Sequence, residues 1–176
     1  TIDYVTIDTP SNATSFGSLT NSRGDCGGVD DDVRGVFAGG YYSGPVNTID
    51  YITIATPSNA TSFGSLPSAE YGVGNGMSNK TRGVFPSGYN GHTKAMSYIT
   101  ISTTGNATTF GNMVFNGEYT AGASSSTRGI LAGGTNRDVG GDTKIIQYIT
   151  IATTGNATTF GDLTTARSAS TGVSDF

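Results

Sequence analysis

Residues 48–66 read TIDYITIATPSNATSFGSL, and this stretch decides the fold. Its first nine residues are dominated by β-branched and aromatic side chains, the strongest strand signal in the chain. Pro57-Ser58-Asn59 supplies a turn, and residues 60–66 return as a second strand. In the first strand Ile49, Tyr51, Thr53 and Ala55 fall on one side, with Ile52 and Ile54 on the other. A sheet with one wet face would alternate apolar and polar residues, so this strand is expected to be covered on both faces.

The same phrase recurs. Tyr4-Val5-Thr6-Ile7, Tyr51-Ile52-Thr53-Ile54, Tyr98-Ile99-Thr100-Ile101 and Tyr148-Ile149-Thr150-Ile151 are each followed by Asn-Ala-Thr and then Phe-Gly. The tyrosines are 47, 47 and 50 residues apart, and Phe16, Phe63, Phe110 and Phe160 keep those steps. A unit of this length cannot bury a core alone and must stack on copies of itself.

Working outward, residues 23–29 form a small, Gly-rich strand a, Asp30-Asp31-Asp32 a polar turn, and residues 34–40 a short apolar strand b closed by Gly39-Gly40. After a loose segment, 41–47, come strand c (48–56) and strand d (60–66). No stretch holds a 3.6-residue period long enough for a helix. Gly27-Gly28, Gly74, Gly76, Ala121-Gly122-Ala123 and Gly172 keep strand a small, as expected where the innermost strands of a propeller crowd together. The expected fold is all-β: a β-propeller of four-stranded antiparallel blades of about 47 to 50 residues.

This pattern resembles the kelch-type repeat. The matching residues are Gly39-Gly40 and Gly133-Gly134 closing strand b, Tyr51 and Tyr148 in strand c, and Phe63-Gly64-Ser65-Leu66 and Phe160-Gly161-Asp162-Leu163 in strand d. The family usually has Trp where this chain has Phe, and the third-unit doublet is Ser87-Gly88. Units of the form YITIATTGNATTFG followed by TRG and AGG are also similar to repeats in structural proteins of marine tailed phages, cyanophages especially. That resemblance implies a virion component of a tail, fibre or decoration, virion-borne or extracellular, which meets other virion proteins or a host-surface receptor or glycan.

Strand counting divides the chain into a partial blade (1–20), blades 21–66, 67–113 and 114–163, and the start of a further blade (164–176). The last strand a, 167–175, has no strand b after it, and closing a ring there would leave ladder groups unpaired. The expectation is therefore a single repeat domain belonging to a longer propeller; a four-bladed ring with one odd blade is the other arrangement.

Composition excludes some partners. A net charge of −4 with only Lys80, Lys94 and Lys144 as lysines offers no basic stripe for nucleic acid. No apolar run approaches the roughly 20 residues of a membrane span, and the first residues have neither the charged start nor the apolar core of a secretion signal. Cys26 is the only cysteine, so no intrachain disulfide forms. It is expected as a small buried apolar residue rather than a reactive thiol.

Comparing the units with one another separates constant from variable parts. Strands b, c and d barely change, whereas the segments between b and c (41–47, 89–95 and 135–144) differ every time. With strands alternating in direction, these segments share a face with the links from d to a; their variety fits either a scaffold displaying a binding face or the free drift of surface loops. The candidate binding residues of that face are Tyr41, Tyr42, Tyr89, His92, Arg137 and Asp138: stiff aromatic area with adjacent polar groups. A Tyr directly after Gly-Gly could equally fold back to cover a sheet edge.

Asp30, Asp31 and Asp32 are the weak candidate for a metal, which would be a hard, oxygen-seeking cation; a solvated turn is the plainer reading. Arg34, Arg82 and Arg128 recur before a Gly in every unit, which points to a structural clamp between neighbouring units. The sequons at Asn12, Asn59, Asn106, Asn156 and Asn79 would carry glycans only in a eukaryotic secretory pathway; left-handed turn geometry accounts for the first four. With His92 as the one histidine and no nucleophile arranged around it, no enzyme and no cofactor is expected. Glu70 and Glu118 lie towards the variable face, but their spacing singles out no catalytic pair. The leading expectation is a structural or adhesive protein able to form homo-oligomers, and the alternative is a lectin-like carbohydrate-binding propeller.

Overall fold

The computed structural model describes residues 1–90 and 93–174. Every regular element among them is a β-strand. A hairpin of β1 (Ile2–Tyr4) and β2 (Thr14–Gly17) is followed by three four-stranded antiparallel sheets. The first contains β3 (Gly27–Asp30), β4 (Arg34–Ala38), β5 (Val46–Thr53) and β6 (Thr61–Glu70). The second contains β7 (Met77–Ser78), β8 (Arg82–Pro86), β9 (Ala95–Thr100) and β10 (Thr108–Asn112). After the short β11 (Gly117–Glu118) comes the third, with β12 (Ala121–Ser124), β13 (Arg128–Ala132), β15 (Ile145–Thr150) and β16 (Thr158–Asp162). Between β13 and β15, β14 (Thr135–Asn136) pairs with β11. In each sheet the strands lie side by side in chain order, so each unit is a meander.

Boundaries differ from the sequence reading in several places: strand b stops at Ala38, strand c already begins at Val46 and strand d runs on to Glu70. The first-strand ladder begins at Gly27, because residues 23–26 are drawn off into a link that pairs with Tyr41. Strand c ends at Thr53; the next residue, Ile54, turns its N–H to the Val33 carbonyl (2.8 Å), and Ile101 and Ile151 do the same with Thr81 and Thr127. The last strand a, expected over 167–175, is not a strand over its described residues. With no second strand to ladder against, it lies along β12, where the Ser174 hydroxyl accepts the Ser124 N–H (2.6 Å).

Each c–d hairpin carries a bulge at its Phe-Gly. Gly64 pairs with Ile49 and Ser62 with Asp50, so Phe63 is the extra residue; Phe16, Phe110 and Phe160 are skipped in the same way. Strict alternation would send Phe63 and Leu66 to opposite faces. The bulge re-aims them, and both enter one core.

The cores lie between sheets. Val29, Val36, Ala38, Ile49, Phe63 and Leu66 of the first sheet meet Val73, Phe85, Ile99 and Ile101 of the next unit. Met77, Val84, Met96, Phe110 and Met113 of the second meet Leu131, Ile149 and Ile151 of the third. These junctions cover both faces of strand c in the second unit, where Met96 enters one core and Ile99 and Ile101 the other; in the first and third units they cover one face. First strands of successive sheets also run close together: a Cβ on Gly76 would overlap Val29, and one on Gly122 or Gly172 would overlap a carbonyl oxygen of Asn75 or Gly122. That is the physical reason these positions are glycine.

Candidate binding face

The links from d to a and the segments from b to c do share one face, because backbone bonds join them. Gly24 and Tyr41 exchange N–H···O bonds (3.3 and 2.9 Å), Tyr89 N–H donates to the Tyr71 carbonyl (2.7 Å), and β11 ladders with β14. The Gly-Gly doublets make the corner. Gly39 and Gly40 take φ of 67° and 111°, and Gly133 and Gly134 take 63° and 98°, the left-handed region where a side chain is strained.

Across this face runs an aromatic stripe. Tyr41 stands edge-on to Tyr71 (centroids 5.1 Å apart), Tyr71 leans on Tyr89 (4.8 Å), and the Arg137 guanidinium lies 5.0 Å from the centre of the Tyr89 ring. Arg137 also pairs with Glu118, whose carboxylate is 1% exposed. The sequence placed Tyr41, Tyr89 and Arg137 on one face, and the structure brings them together. Tyr42 is exposed and has no ring partner among the described residues, while Asp138 is turned away to Lys94 (2.9 Å) and the Asn116 N–H (3.2 Å). Those bonds hold the Asp138 carboxyl below its ordinary range. His92 lies outside the described residues.

Tyr71, the centre of the stripe, was missed by the sequence reading. Its signal was present, since it sits in a d-to-a link on the face already marked by the variable segments. Tyr41, Tyr71 and Tyr89 thus pack on one another while leaving ring area open: Tyr41 is 47% and Tyr89 37% exposed.

The remaining candidates serve the junctions between units. Asp31 Oδ1 accepts the N–H groups of Val33 and Arg34 (3.1 and 2.7 Å), as Asn79 does for Thr81 and Arg82 and the Ser125 hydroxyl for Thr127 and Arg128. Asp30 and Asp32 share the ammonium of Lys80 from the next unit (2.8 and 2.9 Å). Those bonds raise the Lys80 pKa. The acidic cluster is thus a turn cap and an inter-unit ion pair.

Arg34 stacks on Tyr51 (4.7 Å) and donates to the Ile101 carbonyl of the following unit (3.2 Å); Arg82 stacks on Tyr98 (4.3 Å) and donates to Ile151 and Ala152 (3.1 and 2.9 Å). The repeated asparagines are not in left-handed turns. Instead Asn59, Asn106 and Asn156 accept the backbone N–H of Ser18, Ser65 and Asn112 in the preceding unit, at 3.0, 3.1 and 2.9 Å. The alanine after each Asn donates its own N–H back to the carbonyl of that same residue. Turn chemistry alone could not reveal this, because the acceptor's partner lies 41 to 44 residues away.

Desolvation also shifts the half-buried Cys26 and the buried Glu70. Burial raises the Cys26 thiol pKa, which disfavours the reactive thiolate. Burial likewise pushes Glu70 above its ordinary 4.5, although its oxygens accept the Ser68 hydroxyl (2.7 Å) and the Gly88 N–H (3.2 Å). A carboxyl raised in the folded state binds its proton more tightly there, so its destabilising effect is full above the folded pKa and fades as pH falls towards 4.5. Glu70→Gln should therefore melt higher than the unsubstituted chain at pH 7. The gap should narrow as pH falls towards about 5 in a series of thermal melts; a constant gap would contradict this assignment.

Among the described residues no helix is long and apolar enough to cross a membrane. No family model matches the chain, and no curated protein is significantly similar to it.

Proposed function

We propose that this chain is a non-enzymatic structural and adhesive protein built from kelch-like β-propeller blades. In this reading it is a virion component of a tail, fibre or decoration, working outside the cell and contacting another virion protein or a host surface. The observation that carries the reading is the division of labour between the faces. The repeated polar residues Arg34, Arg82, Asn59, Asn106 and Asn156 are engaged in joining units. The face that varies between units instead displays the Tyr41, Tyr71 and Tyr89 stripe with Arg137. Stiff aromatic area next to an arginine is what contact surfaces favour.

The second reading, a carbohydrate-binding propeller, is favoured by the same stripe, since tyrosine faces stack on sugar rings while the partly exposed Arg137 guanidinium, held by the buried Glu118, could donate to hydroxyls. One experiment separates the two: binding of the labelled chain to host cells and to purified virions, with and without free glycans as competitors. The Tyr41→Ala and Tyr89→Ala double variant, folded by circular dichroism, should lose at least tenfold in binding, in the range of a hot-spot residue. Competition by free sugar would select the lectin reading. Unchanged binding by the double variant would overturn the role of the stripe, and no binding to cells or virions would overturn the adhesive reading.

A further inference from the structure

One inner position is filled differently in each unit. In the first, Arg23 Nη1 meets Asp50 of β5 at 2.7 Å with both side chains fully buried, and the Thr20 N–H donates to the same carboxylate (3.1 Å). In the third, Gln147 of β15 stands at the Asp50 position, and its Oε1 accepts the Val114 N–H (2.7 Å). Gly117 replaces Arg23 there, and the Phe115 ring, itself buried, lies so close that a Cβ on Gly117 would overlap it. An ion pair fills the space in one unit and an aromatic ring in the other.

The second unit fills it with neither. Ser97 of β9 is the counterpart of Asp50 and Gln147, paired with Thr109 as they are with Ser62 and Thr159. Pro67 falls where Thr20 and Val114 give an N–H, and it has none to give. Glu70 falls where Arg23 does, seven residues after the Phe of the preceding hairpin. These exchanges leave a cavity of about 60 Å³, whose polar lining is Ser68, Glu70, Ser87, Ser97 and Thr109. Its walls all lie between Leu66 and Thr109, remote from both ends of the sequence.

Glu70 is 5% exposed. Its oxygens accept the Ser68 hydroxyl (2.7 Å) and the Gly88 N–H (3.2 Å), and the Asn90 N–H also faces them. All three donors are neutral, and among the described residues no ion pair reaches this carboxylate. A buried carboxylate without a cation is costly to keep charged. The rest of the polar lining is oxygen. Ser87 donates its hydroxyl proton to the Thr93 carbonyl (2.6 Å), so its remaining capacity is as an acceptor. The Ser97 and Thr109 hydroxyls make no hydrogen bond among the described residues.

We propose that this cavity is a binding site for a small monovalent cation, held by the Glu70 carboxylate and the hydroxyl oxygens of Ser87, Ser97 and Thr109. The ion takes the place that the Arg23 guanidinium has in the first unit. A single charge matches a single carboxylate, whereas calcium and magnesium are held by several carboxylates or by a strict octahedron of oxygens. One water needs about 10–15 Å³, so the cavity admits a sodium, potassium or ammonium ion together with a water. Glu70 adjoins Tyr71 and Gly88 adjoins Tyr89, so the same carboxylate fastens the two segments that carry the aromatic stripe. The inference rests on the cavity alone. Cell or virion binding can fail without touching it.

The test is thermal melting at pH 8, where carboxylates are ionised and an ordinary histidine is neutral. Melts are compared in the chlorides of sodium, potassium, ammonium and choline at equal ionic strength, choline being too large for the cavity. At least one of the small ions should raise the melting temperature by about 2–4 °C over choline and saturate with concentration, as for a ligand bound only by the folded chain. Glu70→Gln keeps the size and the acceptor oxygen, and it should abolish that increment. Ser97→Ala removes one hydroxyl; it should melt normally in choline and need several-fold more ion for the same increment. Equal melting temperatures in all four salts, the behaviour of a cavity holding water only, would overturn the proposal, as would an increment that Glu70→Gln retains.

Discussion

Replacing Asp50 with Ala is expected to lower the unfolding free energy by about 3–5 kcal/mol, the cost of stripping one partner from a buried ion pair. Asp50 lies on β5 and meets Arg23 Nη1 at 2.7 Å, with both side chains 0% exposed. Its carboxylate also accepts the Thr20 N–H (3.1 Å) and hydroxyl (2.8 Å), while Arg23 donates to the carbonyls of Gly39 (2.8 Å) and Phe37 (3.3 Å). Removing the carboxylate strands a buried guanidinium and leaves the Thr20 N–H without its acceptor. Since a domain of this kind is stable by only about 5–15 kcal/mol, the loss should be plain in urea denaturation. An apolar pair of similar bulk, Arg23→Met with Asp50→Leu, should recover much of it. If D50A melts like the unsubstituted chain, the pair does not hold the first hairpin and the first sheet together.

The second large effect compares two positions with the same local sequence. Phe110→Ala should cost about 3–5 kcal/mol, as for a fully buried Phe. Phe160→Ala, in the same Thr-Thr-Phe-Gly context, should cost well under about 1 kcal/mol in the chain of residues 1–176, because the side chain is already half in water. Phe110 sits among Met96, Met113, Ile149 and Ile151, with Tyr98 edge-on at 6.1 Å; Phe160 has the equivalent ring contact to Tyr148, also at 6.1 Å, but belongs to neither core. Equal losses in thermal melts would mean that burial between units is not what stabilises these sheets.

Much of the unit was legible because its signals are local. The β-branched and aromatic run around Tyr51, the Pro57-Ser58-Asn59 turn and the Gly39-Gly40 corner each act through the preferences of a few neighbouring residues, and the strands fall where those preferences place them. Recurrence extended this reach: Arg34, Arg82 and Arg128 could be assigned to a structural role because they return in every unit. The Phe-Gly bulge was not legible, since only the ladder to strand c shows that Phe63 is the unpaired residue. Nor was the bond from Asn59 to Ser18, which required the neighbouring unit to be in place. On the candidate face, variability between units marked Tyr41, Tyr89 and Arg137, but Tyr71 joins them only when a d-to-a link folds beside a b-to-c segment.

By itself the sequence determined the all-β character, the unit length and the hairpin at the heart of each unit, because backbone preference and side-chain period are written residue by residue. The tertiary structure alone decided which copies of that hairpin are buried. Phe110 and Phe160, Ile7 and Ile101, Gly111 and Gly161 share their local sequence yet differ between closed core and open surface. Burial is a property of what lies on the other side of the junction, and that neighbour is placed only by the fold.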